Sequence, residues 1–361
     1  MLRRKLLLLI VLLTTAWPAL AGPPPVVRDD GDVRSLLLAL DRQEKYLLKR
    51  AKHSLRLQGR RVSGQRALNT VRHLRKLTLA YHGKPEFAQR LSSDFEIVTV
   101  STPAVFTGYH TPLLNMRPTK GGAFTVPVLG RPRDLFESKG KVFRRVNGQL
   151  TAAPTRAQIY DGAYNLDRLA IGYTDNLSEY YYAQIQGGAL AVQADGSRKT
   201  LIFAGHNGYP FVSVERDIMK EVPAAQRPGG YFGLRRFLAA NPETAMRFFR
   251  RNPRFIFFKF SDTPPMGMTG LPLTPLRAIA TDKAYYGAGL VGLISYREAY
   301  KTPAGDIAYR QATRLVCDAD TGAAIKGPGR VDLYFGEGAL TDLFVTGFKE
   351  TGTLAYLLVK E

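Results

Sequence analysis

A chain of 361 residues, 45% apolar and 22% charged, is long enough to fold as two or three domains with their own cores. Its single cysteine, Cys317, excludes an internal disulfide framework and leaves no cysteine near the N-terminus to carry a lipid. A net charge of +21 favours an anionic partner by long-range attraction, without choosing among nucleic acid, anionic lipid and other polyanions.

Arg3-Arg4-Lys5, an apolar run from Leu6 to Leu13, and Ala19-Leu20-Ala21 read in that order as a secretory signal spanning 1–21 and cleaved after Ala21. The run is short against the roughly 20 residues of a membrane span, so no integral membrane segment is expected after cleavage. Removal takes three cations and leaves a balance of +18. Export makes nucleic acid the least fitting polyanion. Residues 22–25 (Gly-Pro-Pro-Pro) form a spacer. Apolar residues at helical spacing predict a helix across Val33 to Leu57 and a second across Ala67 to Leu77. The cations Arg56, Arg60, Arg61, Arg72, Arg75 and Lys76 lie among them, as a solvated face or as a site for an anionic polymer.

Short β-branched or aromatic runs then predict strands at 95–100, 123–128, 141–146, 180–186 and 189–193, divided by Gly, Pro and Asn turns in the manner of a small β-barrel. A brief helix is expected at 165–170. Helical character returns near Leu234, and Asn241-Pro242-Glu243 supplies a cap with proline at the first helical position. That helix should end near Asn252-Pro253. Strands follow at 255–260, 291–295, 312–316, 331–335 and 354–359, closing the chain as a second β-rich region.

The chemistry concentrates in Asp318-Ala-Asp320-Thr-Gly322-Ala-Ala-Ile-Lys326-Gly327 and in Asp332, twelve positions beyond Asp320. Glycines permit tight turns and close backbone approach, a way to hold carboxylates over a cleft. A turn-capping role is the structural alternative for each aspartate; Asp318 is read either as a further carboxylate near the site or as one that simply faces solvent. An aspartic-protease signature needs a second Asp-Thr-Gly, which the chain lacks. The glycine and glutamate of a calcium loop are out of place. His110 and His206 have no compact ligand spacing around them, so no metal and no cofactor are expected.

Several landmarks occur in a fixed order: Thr107-Gly108-Tyr109-His110-Thr111-Pro112, Pro154-Thr-Arg156, Gln184-Ile-Gln186-Gly187-Gly188, and Gly205-His206-Asn207-Gly208-Tyr209-Pro210. Asn252-Pro253-Arg254, Leu273-Thr274-Pro275 with Asp282, and then Asp320 and Asp332 complete the series. Over residues 95–360 this resembles the lytic murein transglycosylase A family with its C-terminal three-aspartate (3D) domain. The resemblance implies a mainly β fold with N-terminal helices: a double-psi β-barrel from 22–115 and 245–361, a smaller β-barrel inserted over 116–244, and a substrate groove between them. It implies cleavage of the bond between N-acetylmuramic acid and N-acetylglucosamine in peptidoglycan, closing a 1,6-anhydro ring without water. A non-catalytic peptidoglycan-binding protein is the rival reading.

In the family one aspartate serves as acid and then base, and Asp320 matches it. Asp332 and Asp282 match supporting aspartates, while Tyr109, Gln184, Gln186, Asn207 and Lys326 are candidate substrate contacts. The implied partners are peptidoglycan glycan strands and other cell-wall proteins, met by a monomer that is periplasmic or peripheral to the outer membrane without a lipid anchor. Two departures stand out: Gly188 where the family often has serine, and Tyr285-Tyr286-Gly287 in place of a proline–leucine–glycine turn. The second is expected to widen or re-aim the groove.

Overall fold

The computed structural model describes residues 27–100, 103–223, 230–304, 306–322, 324–337, 345 and 348–361. The expected signal and spacer lie outside the described residues. The first helix, α1 (Val33–Leu48), starts where the Asp32 carboxylate accepts the Ser35 N–H at 2.7 Å, and it buries Leu36, Leu40 and Leu47. It stops nine residues before the expected limit of Leu57. There the spacing changes from helical to alternating, with Leu55 and Leu57 buried and Ser54 and Arg56 exposed. The hairpin β1 (Ser54–Leu57) and β2 (Arg60–Ser63) turns at Gln58-Gly59, both at positive φ, as a two-residue turn requires. Helix α2 (Gly64–Tyr81) is capped by Ser63, and α3 (Pro85–Asp94) opens on proline.

The strands that follow are β3 (Phe95–Thr99), β4 (Ala104–Thr111), β5 (Leu113–Arg117), β6 (Val126–Leu129), β7 (Leu135–Ser138), β8 (Lys141–Val146) and β9 (Gln149–Ala152). Next come β10 (Ala170–Thr174), β11 (Gly188–Val192), β12 (Arg198–His206) and β13 (Ile256–Ser261). The last are β14 (Ala278–Thr281), β15 (Val291–Lys301), β16 (Ile307–Asp320), β17 (Arg330–Glu337) and β18 (Lys349–Val359). One sheet runs β15-β16-β14-β17-β4-β18-β3, and an additional β15–β18 pairing closes six of its strands into a barrel. The pairs β14–β16 and β17–β4 are parallel. This is the expected barrel built from both ends of the chain. Its apolar interior is continuous with the buried faces of α1 to α3.

The second sheet runs β13-β12-β11-β5-β10-β6, and a bridge from Gly130 to Phe258 returns its last strand to its first. Strands β4 and β5 are separated only by Pro112 yet belong to different sheets. Strand β13 pairs with β12 and not with the first barrel. A three-stranded β7–β8–β9 sheet stands beside it.

Tyr180-Tyr-Tyr-Ala-Gln184-Ile-Gln186, expected as a strand, is part of a helix, Leu177–Gln186. Asn176 accepts the N–H groups of Ser178 and Glu179 at 3.0 and 3.1 Å, and Gly187 ends the helix in the left-handed conformation at φ 81°. The three tyrosines are all buried, in two directions. Tyr180 joins the second barrel's core, while Tyr181 stacks on Phe249 at 3.8 Å in a separate helical cluster. That cluster includes the helices Gly230–Ala240 and Pro242–Phe249. The proline opens its helix as expected, but Asn241 does not cap with its side chain, which donates to the Phe237 carbonyl instead. Among the described residues no helix is long and apolar enough to cross a membrane.

Candidate active site

A groove of about 620 Å³ lies between the two barrels. The first barrel contributes Gly108, Tyr109, Ala280, Asp320 and Asp332, and the second contributes Gln184, Gln186, Phe203 and Ile256. Strand pairing explains how the two aspartates meet. Ala280 on β14 is the parallel partner of Asp320 on β16 and the antiparallel partner of Asp332 on β17. Neighbouring strands are about 4.8 Å apart, so the aspartate backbones stand roughly 10 Å apart with only a methyl group between them.

Asp320 is held from two sides. Tyr109 donates its hydroxyl to Oδ2 at 2.9 Å, and the Met268 N–H donates to Oδ1 at 3.0 Å. The Met266–Met268 loop comes this close because Gly267 carries no side chain: a Cβ there would lie 2.6 Å from the Ala319 carbonyl oxygen. Burial pushes the Asp320 carboxyl above the usual carboxylate range. The opposing hydrogen bonds from Thr321, Tyr109 and Met268, and the charge of Lys283, do not cancel it.

Burial also pushes Asp332 up, to about 6, with Arg330 opposing and the Asp320 charge adding to the rise. Its Oδ1 accepts the hydroxyl of Thr107, its register partner on β4, and lies 3.2 Å from the Arg330 guanidinium. Two partly buried carboxyls at one groove wall are disfavoured from ionising together, so the site retains a proton to higher pH than a free aspartate.

The other sequence candidates divide. Tyr109 bonds Asp320 and packs on Tyr334 at 5.2 Å, a supporting position rather than a free stacking face. Gln186 lines the groove. Gln184 lines it too, but its amide is spent inside: Nε2 donates to the Ile256 carbonyl at 2.7 Å and Oε1 accepts from Arg156 at 2.5 Å. Asn207 is buried and is not among the groove residues. It clamps backbone, donating to the carbonyls of Pro154 and Pro253 and accepting the Phe255 N–H at 2.8 Å.

Asp282 also lies off the groove, accepting the N–H groups of Ala284 at 3.0 Å and Gly327 at 2.8 Å. Those bonds hold its carboxyl below the usual range, with help from the charges of Lys326 and Lys283. Lys326 is exposed beside it and does not line the groove. Asp318 does not face solvent. It is fully buried and accepts from Thr281 and Tyr356, each at 2.7 Å, and from Lys283.

None of Tyr285, Tyr286 and Gly287 lines the groove. Tyr286 is buried over Tyr356 and donates to the Pro328 carbonyl, while a Cβ on Gly287 would sit 2.9 Å from the Leu55 Cβ. Gly188 opens β11, where a Cβ would lie 3.1 Å from the Leu201 carbonyl oxygen.

Other groove residues escaped the sequence reading as contacts, four polar or aromatic ones among them. Arg156 and Arg254 line it, as do the exposed aromatics Phe203 and Phe211. Arg156 and Arg254 each sit in one of the ordered landmarks, which was the available signal; the two phenylalanines gave none.

Fold and site together define a two-barrel protein with a part-buried carboxyl of raised pKa on the wall of an open inter-barrel groove. The profile of the MltA specific insert domain matches residues 105–259, and that of the 3D domain matches residues 277–358. The chain belongs to the MltA family, with its C-terminal 3D domain. The membrane-bound lytic murein transglycosylase A of Vibrio cholerae is 28% identical over 253 residues, covering 69% of this chain and 63% of that protein. Its namesake in Escherichia coli K12 is 27% identical over 236 residues, covering 64% and 60%. The match therefore spans less than two thirds of these relatives' own length.

Among solved structures, a membrane-bound lytic murein transglycosylase from Agrobacterium tumefaciens superposes with a TM-score of 0.73 at 22% identity, covering 91% of this chain and 93% of that one. E. coli MltA with bound chitohexaose gives 0.72 at 20% identity, covering 94% and 93%. At that identity these two similarities establish the fold.

Proposed function

We propose that this protein is a lytic transglycosylase that cuts the β-1,4 bond between N-acetylmuramic acid and N-acetylglucosamine in peptidoglycan. The observation that carries the reading is the Asp320 carboxyl, raised in pKa, fixed by Tyr109 and lining the groove of about 620 Å³ between the barrels. A buried acid that keeps its proton can give it to the glycosidic oxygen as the C1–O bond breaks. Positive charge then develops on the muramic acid ring, and the new Asp320 carboxylate faces it. The same carboxylate takes the proton of the C6 hydroxyl while O6 bonds to C1, closing the 1,6-anhydro ring and restoring the acid. No water enters. The Tyr109 hydroxyl both donates and accepts, so it can follow either protonation state. Asp332 would share the proton inventory of the site as a supporting group. The names of the relatives, and the chitohexaose bound to one of them, support a glycan substrate.

The insert is best delimited from β5 to β13, since β13 pairs with β12; this puts its end later than the residue 244 expected above. The barrel of β4 and β14 to β18 would then be the catalytic domain. A periplasmic monomer acting on glycan strands fits the N-terminal sequence and the charge.

Product analysis is the test. Isolated sacculi incubated with the protein should yield muropeptides one water lighter than hydrolysis products, with no reducing muramic acid ends. Reducing ends would make the protein a hydrolase, and bound but uncut sacculi would make it a binding protein.

A further inference from the structure

Residues 45–84 contain twelve Lys and Arg and no Asp or Glu. Eight of these cations fall into two groups. Arg60 and Arg66 pair with Glu96, Arg72 with Glu44, and Arg75 with Asp41, so the flanks of α2 are neutralised locally. At the end of α1 and in the hairpin, where only Arg60 is paired, Lys49, Lys52, Arg56 and Arg61 are exposed, and none has an acidic partner among the described residues. A tight turn gathers them, with His53 N–H on the Arg50 carbonyl at 2.8 Å and Gly64 N–H on the His53 carbonyl at 2.7 Å.

Within the hairpin, Arg56 and Arg61 are direct cross-strand partners on the solvent face, opposite the buried Leu55, Leu57 and Val62. Like charges directly opposed across a strand pair cost stability. The hairpin is also fixed in place. Gly287 N–H bonds the Arg56 carbonyl at 2.7 Å, Gln58 N–H bonds the Tyr285 carbonyl at 3.0 Å, and a guanidinium N–H of Arg56 bonds the Ala284 carbonyl at 2.9 Å. This 282–287 loop follows Ala280 by two residues, and Asp282 ties it to Gly327, two residues past the groove residue Ile325. A rigid, uncompensated cationic surface is therefore joined by hydrogen-bonded backbone to the groove wall.

We infer that the β1–β2 hairpin is a second docking surface for the substrate, taking free carboxylates on the peptide stems of the same glycan strand whose backbone lies in the groove. This rests on the proposed peptidoglycan substrate. It separates two recognitions: sugars in the groove, peptide charge on the hairpin.

The test uses Asp320→Asn protein, which does not cut, so that retention on sacculi is read without turnover. Adding Arg56→Ser and Arg61→Ser should lower retention at low salt roughly tenfold, and high salt should erase the difference. Arg56→Lys with Arg61→Lys should restore retention, which a merely structural role of the arginines would not predict. Sacculi stripped of stem peptides by an amidase should hold all variants equally. Equal retention of the serine variant and its parent on intact sacculi would overturn the inference. So would an equal loss on stripped glycan, or a loss seen only with phosphatidylglycerol vesicles, which would assign the surface to a membrane. Absence of anhydro products from sacculi incubated with protein that keeps Asp320 would count against the transglycosylase reading alone, since retention is measured independently of cleavage.

Discussion

The Tyr109 hydroxyl lies 2.9 Å from Oδ2 of Asp320, although the two residues sit on strands separated by two others in the barrel and 211 positions apart in sequence. The bond stabilises the carboxylate more than the acid, so it works against the burial that raises the Asp320 pKa. Tyr109→Phe removes it. The free-enzyme acid should then hold its proton to higher pH, and the alkaline limb of kcat/KM should move upward. A downward move would mean that Tyr109 does not act through Asp320.

Asp320→Asn keeps the size of the side chain and removes the ionisable carboxyl proton. A positioned acid contributes roughly 100- to 10,000-fold, so turnover of sacculi should fall by about that factor while the melting temperature changes little. Turnover within a few-fold of the parent, in protein with an unchanged circular dichroism spectrum, would remove Asp320 from its role.

What could be read from the chain, and what could not, follows from the range of the interactions. Strand runs in the last hundred residues were legible because β-branched and aromatic clusters between glycines and prolines are a local signal; 331–335 and 354–359 lie within β17 and β18. Tyr180-Tyr-Tyr misled because β propensity was strong, while the decisive cues were the cap at Asn176 and the stop at Gly187. Asp320, which the ordered landmarks singled out, does line the groove. The amides were not legible: Asn207 and Gln184 look like sugar contacts in sequence, yet each is consumed by backbone or arginine partners distant along the chain. Whether a polar side chain faces a groove or locks a loop is decided by tertiary pairing, which residue type does not encode.

Asp332 carries a pH signature. Its folded pKa, about 6, is above the ordinary 3.8, so the folded state holds the proton more tightly than the unfolded chain. By linkage, burial of Asp332 costs nothing below pH about 3.8, and its cost grows as pH rises toward 6. Asp332→Asn should flatten that part of the stability curve by up to about 3 kcal/mol. Urea midpoints of parent and variant between pH 4 and 7 check this, and parallel curves would contradict it.

Asp29 and Arg277 fasten the segment before α1 to the barrel, and the sign there is reversed. The pair is buried and bidentate, with N–O distances of 2.5 and 3.0 Å, and the carboxylate also accepts from His82 at 2.9 Å and from the Leu315 N–H at 2.9 Å. Burial alone would raise the Asp29 pKa, but the bonds from His82 and Arg277 outweigh it and hold the carboxyl below its ordinary value. The pair's contribution is therefore present above pH about 4 and is lost as pH falls through the lowered pKa. Removing one partner leaves the other charge buried and unpaired, which typically costs 3–5 kcal/mol, so Arg277→Ala should destabilise the protein by about 4 kcal/mol at neutral pH. The loss should shrink as the pH falls toward and below the lowered Asp29 pKa of the parent, where the carboxylate is progressively neutralised. Chemical denaturation at pH 7 and pH 3 gives the two values; a pH-independent difference would mean that packing of the guanidinium stem, and not its charge, ties the segment down.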